Sequence, residues 1–187
     1  MLKQLILIAG MPGSGKTTIA MIIGEHGFPV VSMGNAAREE AEAHGIGRDI
    51  WAMSSFMVEL RKEHGEDAVA RLVDRKIENT CSNTIVVDGV RSLREVEYFK
   101  SKGYSVTLVG VLTPISLRYS RLSSRNRFDD PKMLKELEER DRVELSVGLG
   151  ETLALSDVYM VNEGSLEDLR ETVERKLNDI LSKNFNR

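Results

Sequence analysis

The chain of 187 residues has a single cysteine, no long apolar run and no excess of either charge. Cys81, without a second cysteine, cannot close an internal disulfide, so a disulfide-stapled secreted scaffold is excluded. No apolar stretch, Leu5 to Ala9 and Thr84 to Val87 included, comes near the roughly 20 residues needed to cross a bilayer, which excludes a membrane-spanning helix. Twenty-six Lys and Arg against 29 Asp and Glu give a net charge of −3, so no overall basic field draws the protein to nucleic acid or an anionic membrane. Any anion site must be local. No segment repeats at a fixed period, and no cationic leader with a small-residue cleavage site precedes the first apolar run. Together with the lone cysteine, this sets the expectation of a cytoplasmic protein.

What is present is an ordinary globular composition, 41% apolar and 29% charged, in a length that suits one domain over 1–187. Short apolar runs alternate with longer segments of helical spacing, the pattern of an α/β fold. Strands are expected at Leu5 to Ala9, Pro29 to Met33, Thr84 to Asp88, Val106 to Val111 and Val158 to Asn162, each dense enough in aliphatic residues for a parallel strand covered on both faces. Ser92 with Glu95 and Ser165 with Asp168 have capping-box spacing, and Pro114 follows Thr113 as a first-turn proline follows its cap. Leu166, Leu169, Val173, Leu177 and Ile180 form one stripe on a terminal helix. About fifty residues separate the second and third strands, too many for one crossover helix. Ile50, Met53, Met57 and Leu60 mark one helix there, and Val69, Leu72, Val73 and Ile77 another, which predicts an all-helical insertion.

Directly after the first strand come Gly10, Met11, Pro12, Gly13, Ser14, Gly15, Lys16 and Thr17, then a helical run from Thr18 to Glu25. The pattern G-x-x-x-x-G-K-[ST] between a strand and a helix is a phosphate-binding loop. Its glycines let successive backbone N–H groups converge on an anion, the helix N-terminus adds partial positive charge, and Lys16 brings a full charge to the terminal phosphates. The Thr17 hydroxyl is a Mg²⁺ ligand of the right kind, and Asp88, at the end of the third strand, is placed to hold a magnesium-bound water beside it.

Further cations fall in three places. Arg38 follows the second strand on Asn35-Ala36-Ala37-Arg38, where Asn35 is a candidate helix cap. Arg91 lies three residues after Asp88. Arg118, Arg121 and Arg125 share one helical face at i, i+3 and i+7, with Arg127 beyond them and Arg140 and Arg142 closing the next helical segment. Arginines that close over phosphates and exclude water supply the electrostatic and positioning work of phosphoryl transfer. The competing reading is a solvated basic face paired with Asp129, Asp130, Glu136, Glu138 and Glu139.

With these residues in view, the sequence resembles the nucleoside monophosphate kinases over nearly its whole length. It is most similar to a largely archaeal family described as adenylate kinase-like or dephospho-CoA kinase-related. Val31 to Arg38, with Ser32 and Gly34, looks like the acceptor turn of adenylate kinase, which implies that Arg38 grips the acceptor phosphate. Asp88-Gly89-Val90-Arg91 is similar to Asp-Gly-Phe-Pro-Arg, one residue shorter, and gives Gly89 and Arg91 acceptor roles. Arg121 and Arg125 match the arginines at the start of the lid, the first associated with the donor base and the second with phosphate. Arg127-Phe128-Asp129-Asp130 resembles the motif that closes the lid, and Arg140 stands two residues beyond its usual partner. Ser156 to Ser165 resembles the dephospho-CoA kinase stretch beside the donor adenine, where Asn162, Glu163 and Gly164 would meet the base.

The resemblance implies a five-stranded parallel P-loop NTPase sheet flanked by helices. The core is expected at 1–34, 81–124 and 143–187, the helical acceptor-binding insertion at 35–80 and a short lid at 125–142. It implies a kinase with ATP as donor, Mg²⁺ as cofactor, Lys16, Arg121, Arg125, Arg127 and Arg140 acting on the transferred group, and AMP as the first acceptor. A hydroxyl acceptor benefits from a general base, whereas a phosphate acceptor is already ionised. Where dephospho-CoA kinases carry an aspartate, this chain has Ser32, Met33 and Asn35. Two other readings stand beside this one: a nucleotide-dependent switch or assembly factor, and a kinase directed at a hydroxyl. His26, His44 and His64 lack metal-ligand spacing and are expected to contact carbonyls at helix ends. Trp51, Met53, Phe56 and Met57 fit a helix core or the lining of a base pocket. Arg61 and Arg71 fit either acceptor contacts or plain surface.

Overall fold

The computed structural model describes residues 2–47, 50–125 and 130–182. Five strands, β1 (Gln4–Gly10), β2 (Val30–Ser32), β3 (Thr84–Val90), β4 (Ser105–Leu112) and β5 (Val158–Val161), form one parallel sheet in the order β2-β3-β1-β4-β5. Around it run α1 (Lys16–Gly24), α2 (Met33–Ala43), α3 (Ile50–His64), α4 (Ala68–Glu78), α5 (Leu93–Ser101), α6 (Ile115–Arg125), α7 (Leu134–Ser146), α8 (Leu149–Ala154) and α9 (Leu166–Ser182). The chain is thus an α/β protein with a parallel sheet between two helical layers.

The strand alternation divides the core. Leu5, Leu7, Ala9, Ile85 and Val87 point to the face covered by α2, α4, α5 and α8, while Ile6, Ile8, Val86 and Val109 point to the face covered by α1 and α9. All of β1 from Leu5 to Ala9 is fully buried, as a central strand covered on both faces requires. On α9 the stripe Leu169, Val173, Leu177 and Ile180 is buried, but Leu166 is exposed. The first turn of this helix overhangs a cleft instead of the sheet.

Helix starts depart from expectation where a side chain has other work. The cap of α2 is Ser32, whose hydroxyl accepts from the Asn35 N–H at 3.3 Å, so the helix begins at Met33 and shortens the second strand. Asn35 sits one turn in and accepts from Arg38 through its side chain. At α6 the Pro114 carbonyl accepts the first helical bond, from the Arg118 N–H, while the Thr113 hydroxyl donates to the Ser14 carbonyl in the phosphate loop. The capping box of Ser92 and Glu95 and the reciprocal bonds of Ser165 and Asp168 are present. The helix α7 continues to Ser146, past Arg142.

Among its described residues the insertion holds the helices α2, α3 and α4 and no strand. Its two later helices differ in anchorage. On α4 the buried Asp74 accepts from the hydroxyls of Tyr98 and Tyr104, each at 2.8 Å, tying the helix to α5 and the start of β4. In α3 the anchorage is apolar: Phe56, Met57 and Leu60 are buried in the same core, and the helix packs against α2 and α4.

Candidate functional site

Gly10 to Thr17 wrap from the end of β1 into α1. Gly15 has φ 94° at the N-cap of α1, a left-handed conformation that glycine takes without strain. A Cβ there would lie 2.3 Å from Asn162 Nδ2, so the position also needs the missing side chain for space. The loop is held by groups from outside it. Asn162, buried just after β5, donates through Nδ2 to the Ser14 carbonyl at 2.8 Å, and the Thr113 hydroxyl donates to the same carbonyl at 3.0 Å. Arg118 donates to the Pro12 carbonyl at 3.1 Å and forms a two-pronged pair with Asp141 of α7, at 2.9 and 2.6 Å.

Lys16 reaches the Met11 carbonyl at a long 3.5 Å. Burial lowers its ammonium from 10.5 to about 8, with Asp88 and Glu144 raising it and Arg91 and Arg140 lowering it further. Charges at the end of β3 and on α7 thus act on Lys16 of α1. The Thr17 hydroxyl donates to Asp88 Oδ2 at 2.8 Å, whereas Asp88 Oδ1 is buried without a hydrogen-bond partner. A hydroxyl oxygen beside a carboxylate with a spare buried oxygen suits a hard divalent cation, and the loop amides suit phosphate. These residues therefore fit magnesium and a nucleoside triphosphate.

Two clefts flank this centre. The first, about 160 Å³, is lined by Gly15, Thr18, Arg121, Asn162, Gly164, Ser165, Leu166 and Leu169. Arg121 is fixed at its wall, donating to the carbonyls of Asn162 and Gly164 and to Asn162 Oδ1 at 3.2 to 3.3 Å. The exposed Leu166 supplies apolar surface there, while Glu163 is exposed and does not line the cleft. The second cleft, about 20 Å³, lies between β3 and the helices α2 to α5 and is lined by Met33, Gly34, Ala37, Met57, Arg61, Val69, Gly89, Arg91 and Glu95. Gly89 is an extra residue in β3, where the register with β1 passes from Ile8 opposite Asp88 to Ala9 opposite Val90. Its φ of 99° turns the chain out of the sheet beside Gly34.

The structure thus brings together Gly10 to Thr18, Asp88, Arg91 and Arg140 around Lys16, and Arg121, Asn162 and Gly164 at the first cleft. Arg38 is exposed and bonded to Asn35 at 2.5 Å, outside the lining of the second cleft. Ser32 is used as a cap. Arg125 is paired with Asp130. Arg127 lies outside the described residues, as do the side chains of Ile50 and Trp51. The expected common face of Arg118, Arg121 and Arg125 does not form a basic surface: Arg118 is 5% exposed and turned under the phosphate loop.

Sequence reasoning missed Asp141, Glu144 and the second role of Glu95. Glu95 is fully buried. Its Oε2 accepts from the N–H groups of Arg91 and Ser92 at 2.7 and 3.3 Å, while Oε1 faces Arg61 Nη2 at 3.6 Å. Arg91 Nε in turn lies 3.3 Å from Glu144 of α7. The capping box foretold the Glu95 carboxylate beside Arg91, but no local signal pointed to Arg61. Of the histidines, His44 meets the Glu40 carbonyl and His26 meets Glu174, and no group of potential metal ligands of the His, Cys, Asp and Glu kind occurs among the described residues. No helix among them is long and apolar enough to cross a membrane.

Residues 9–142 match the family model described as AAA domain. With the phosphate loop between β1 and α1 and the Asp88 carboxylate beside Thr17, this places the chain in the P-loop kinase superfamily. The UPF0200 protein of Thermococcus sibiricus is 42% identical over 176 residues, covering 92% of this chain and 93% of that one. The UPF0200 protein of Pyrococcus abyssi is 40% identical over 182 residues, covering 95% and 97%. The chain belongs to the UPF0200 family. In fold it is similar to TT1252 from Thermus thermophilus, whose crystal structure matches with a TM-score of 0.69 over 96% of this chain and 99% of that one, at 19% identity.

Proposed function

We propose that the protein transfers the γ-phosphoryl group of Mg-ATP to a nucleoside monophosphate, with AMP the first candidate. The observation that carries this reading is a pair of clefts, one at the phosphate loop and one beside the residues that follow Asp88. One adjoins the phosphate loop, with Arg121 and Asn162 at its wall, and the other holds Arg61 and Arg91. A donor seated in the loop places its γ-phosphate toward Lys16, and a monophosphate in the second cleft presents an oxygen from the opposite side. That oxygen attacks γ-phosphorus, the bond to the β–γ bridging oxygen breaks, and a nucleoside diphosphate leaves from each site. Lys16, Arg91 and Arg140 offset the charge on the transferring group. Magnesium, held by Thr17 and Asp88, would neutralise the β- and γ-phosphates and orient them.

In this assignment Gly10, Met11, Pro12, Gly13, Ser14, Gly15, Lys16, Thr17 and Thr18 hold the donor phosphates. Asn162, Glu163, Gly164 and Arg121 serve the donor base, and Ser32, Gly34, Arg38, Asp88, Gly89 and Arg91 serve the acceptor. Arg125 and Arg127, with the segment 125–142, form the lid. The carboxylates of the centre are committed in this assignment, Asp88 to Thr17 through Oδ2 and to magnesium through Oδ1, Glu95 to backbone N–H groups and Glu144 to Arg91. That favours an acceptor already ionised. Glu144 is also the one observation on the side of a hydroxyl acceptor, because it is the carboxylate nearest to serving as a base if Arg91 releases it.

The test is titration of AMP into protein saturated with a non-hydrolysable ATP analogue. Kinase chemistry requires saturable, one-to-one binding at a second site. A nucleotide switch requires the loop alone, and absence of a second site would contradict the proposal.

A further inference from the structure

The cluster around the second cleft contains an arginine that neither the phosphate loop nor the acceptor turn supplies. Arg61 comes from α3, in the helical insertion, and is largely buried, with 11% of its side chain exposed. Its sister in the insertion, Arg71, is exposed, paired with Asp67 and laid over the Tyr98 ring. Arg61 has no comparable satisfaction. Nη1 reaches the Met57 carbonyl at 3.4 Å, Nη2 stands 3.6 Å from Glu95 Oε1, and Nε is buried without a hydrogen-bond partner. Glu95 Oε1 is buried and unpartnered in the same sense, because the bonds of that carboxylate are made by Oε2. Buried charges left this loosely paired are costly, and the cost points to a partner that arrives later.

The geometry of the cleft says what that partner is. Arg61 and Arg91 both line it, with Gly34 and Gly89 leaving the backbone open to close approach and Met33, Ala37, Met57 and Val69 closing the apolar side. Two guanidinium groups match the oxygens of a phosphate monoester better than a carboxylate or a neutral ligand, because each offers a planar fork of N–H donors. Glu95 stays anchored to the N-terminus of α5 by Oε2 whether or not Oε1 faces Arg61, so the arginine can be handed over without unravelling the helix. The cleft of about 20 Å³ has room for about one water molecule and not for a phosphate, so entry of the anion must move Arg61 or α3. Asp74 anchors α4 to the core and Phe56, Met57 and Leu60 bury α3 in it, which leaves the loosely bonded Arg61 side chain as the group able to shift.

Resting on the acceptor reading above, we propose that Arg61 is a further acceptor-binding residue, that it grips the monophosphate together with Arg91, and that Glu95 holds it in place until the acceptor arrives. Recognition of the acceptor is then built partly from the insertion and not only from the turn after β2.

Calorimetric titration of AMP, GMP, CMP and UMP into the full chain, beside Arg61→Met and Arg61→Lys, tests this. Methionine keeps much of the apolar stem and removes the charge, whereas lysine keeps the charge and loses the fork. The monophosphate that the wild type binds should be bound at least tenfold more weakly by Arg61→Met and by an intermediate margin by Arg61→Lys, with affinity for an ATP analogue within twofold throughout. Unchanged acceptor affinity in folded Arg61→Met, or an equal loss for the ATP analogue, overturns the assignment. If Arg61→Met does not fold, Arg61→Lys decides, and unchanged affinity there overturns it equally. A wild type that binds none of the four overturns both this inference and the acceptor reading. A wild type that phosphorylates one of them while both variants bind it normally removes Arg61 alone.

Discussion

The two sides of Lys16 are built differently. On the loop side, the contacts are hydrogen bonds to backbone carbonyls: Asn162 and Thr113 on the Ser14 carbonyl, Arg118 on the Pro12 carbonyl, Arg121 on the carbonyls of Asn162 and Gly164. On the insertion side, charges face charges at 3.3 and 3.6 Å, with Arg61 Nε and Glu95 Oε1 making no hydrogen bond. A loop prearranged for phosphate binds the part of a nucleotide that all nucleoside triphosphates share. The loosely paired side is where a ligand's arrival changes most, and in the proposed reaction it is the side that distinguishes one acceptor from another.

The comparison breaks most visibly at the brace under the loop. Arg118 and Asp141 are both buried, so Arg118→Met leaves an uncompensated carboxylate and should cost about 3 to 5 kcal/mol in urea unfolding. Adding Asp141→Leu removes that charge and should restore most of the loss. If the single variant is as stable as the wild type, the loop side is not braced in this way.

A smaller effect sharpens the contrast through pH. Because burial holds Lys16 at about 8 in the free protein and phosphate oxygens raise it, nucleotide binding takes up a proton above that pH. Affinity for an ATP analogue should therefore fall as pH rises from about 8 toward 10.5, by at most about tenfold per unit. Stability without nucleotide has the opposite sign. A lysine depressed in the folded state opposes folding below pH 8, and that opposition fades as pH rises toward 10.5. Both dependences should be absent in Lys16→Met, as calorimetry and unfolding across that range would show.

The same division governs what could be read from the sequence. The phosphate loop is eight consecutive residues between a strand and a helix, and the central strands β1, β3 and β4 are largely buried runs, so both are local patterns. The edge strands β2 and β5 instead leave Val30, Tyr159 and Val161 exposed, against the expectation of cover on both faces. The pairings of Arg61 with Glu95, Arg118 with Asp141 and Arg121 with Asn162 join residues distant in sequence. Spacing of i, i+3 and i+7 fits Arg118, Arg121 and Arg125 equally well to a solvated face or to three separate anchors, and only packing of α6 over the loop decides. Thr113 is similar: a good cap residue by type, it was drawn instead to the Ser14 carbonyl. Glu95 was legible as a cap and illegible as a counter-ion for the same reason.

The most direct measurement is transfer itself. Protein incubated with Mg-ATP and each of the four nucleoside monophosphates, alongside Lys16→Ala, is followed by chromatography of the nucleotides. The account predicts that one monophosphate, AMP first, is converted to its diphosphate with equal formation of ADP from the donor, and that Lys16→Ala loses about a thousandfold or more of the rate. Nucleotide bound to a folded protein with every monophosphate left intact would contradict it.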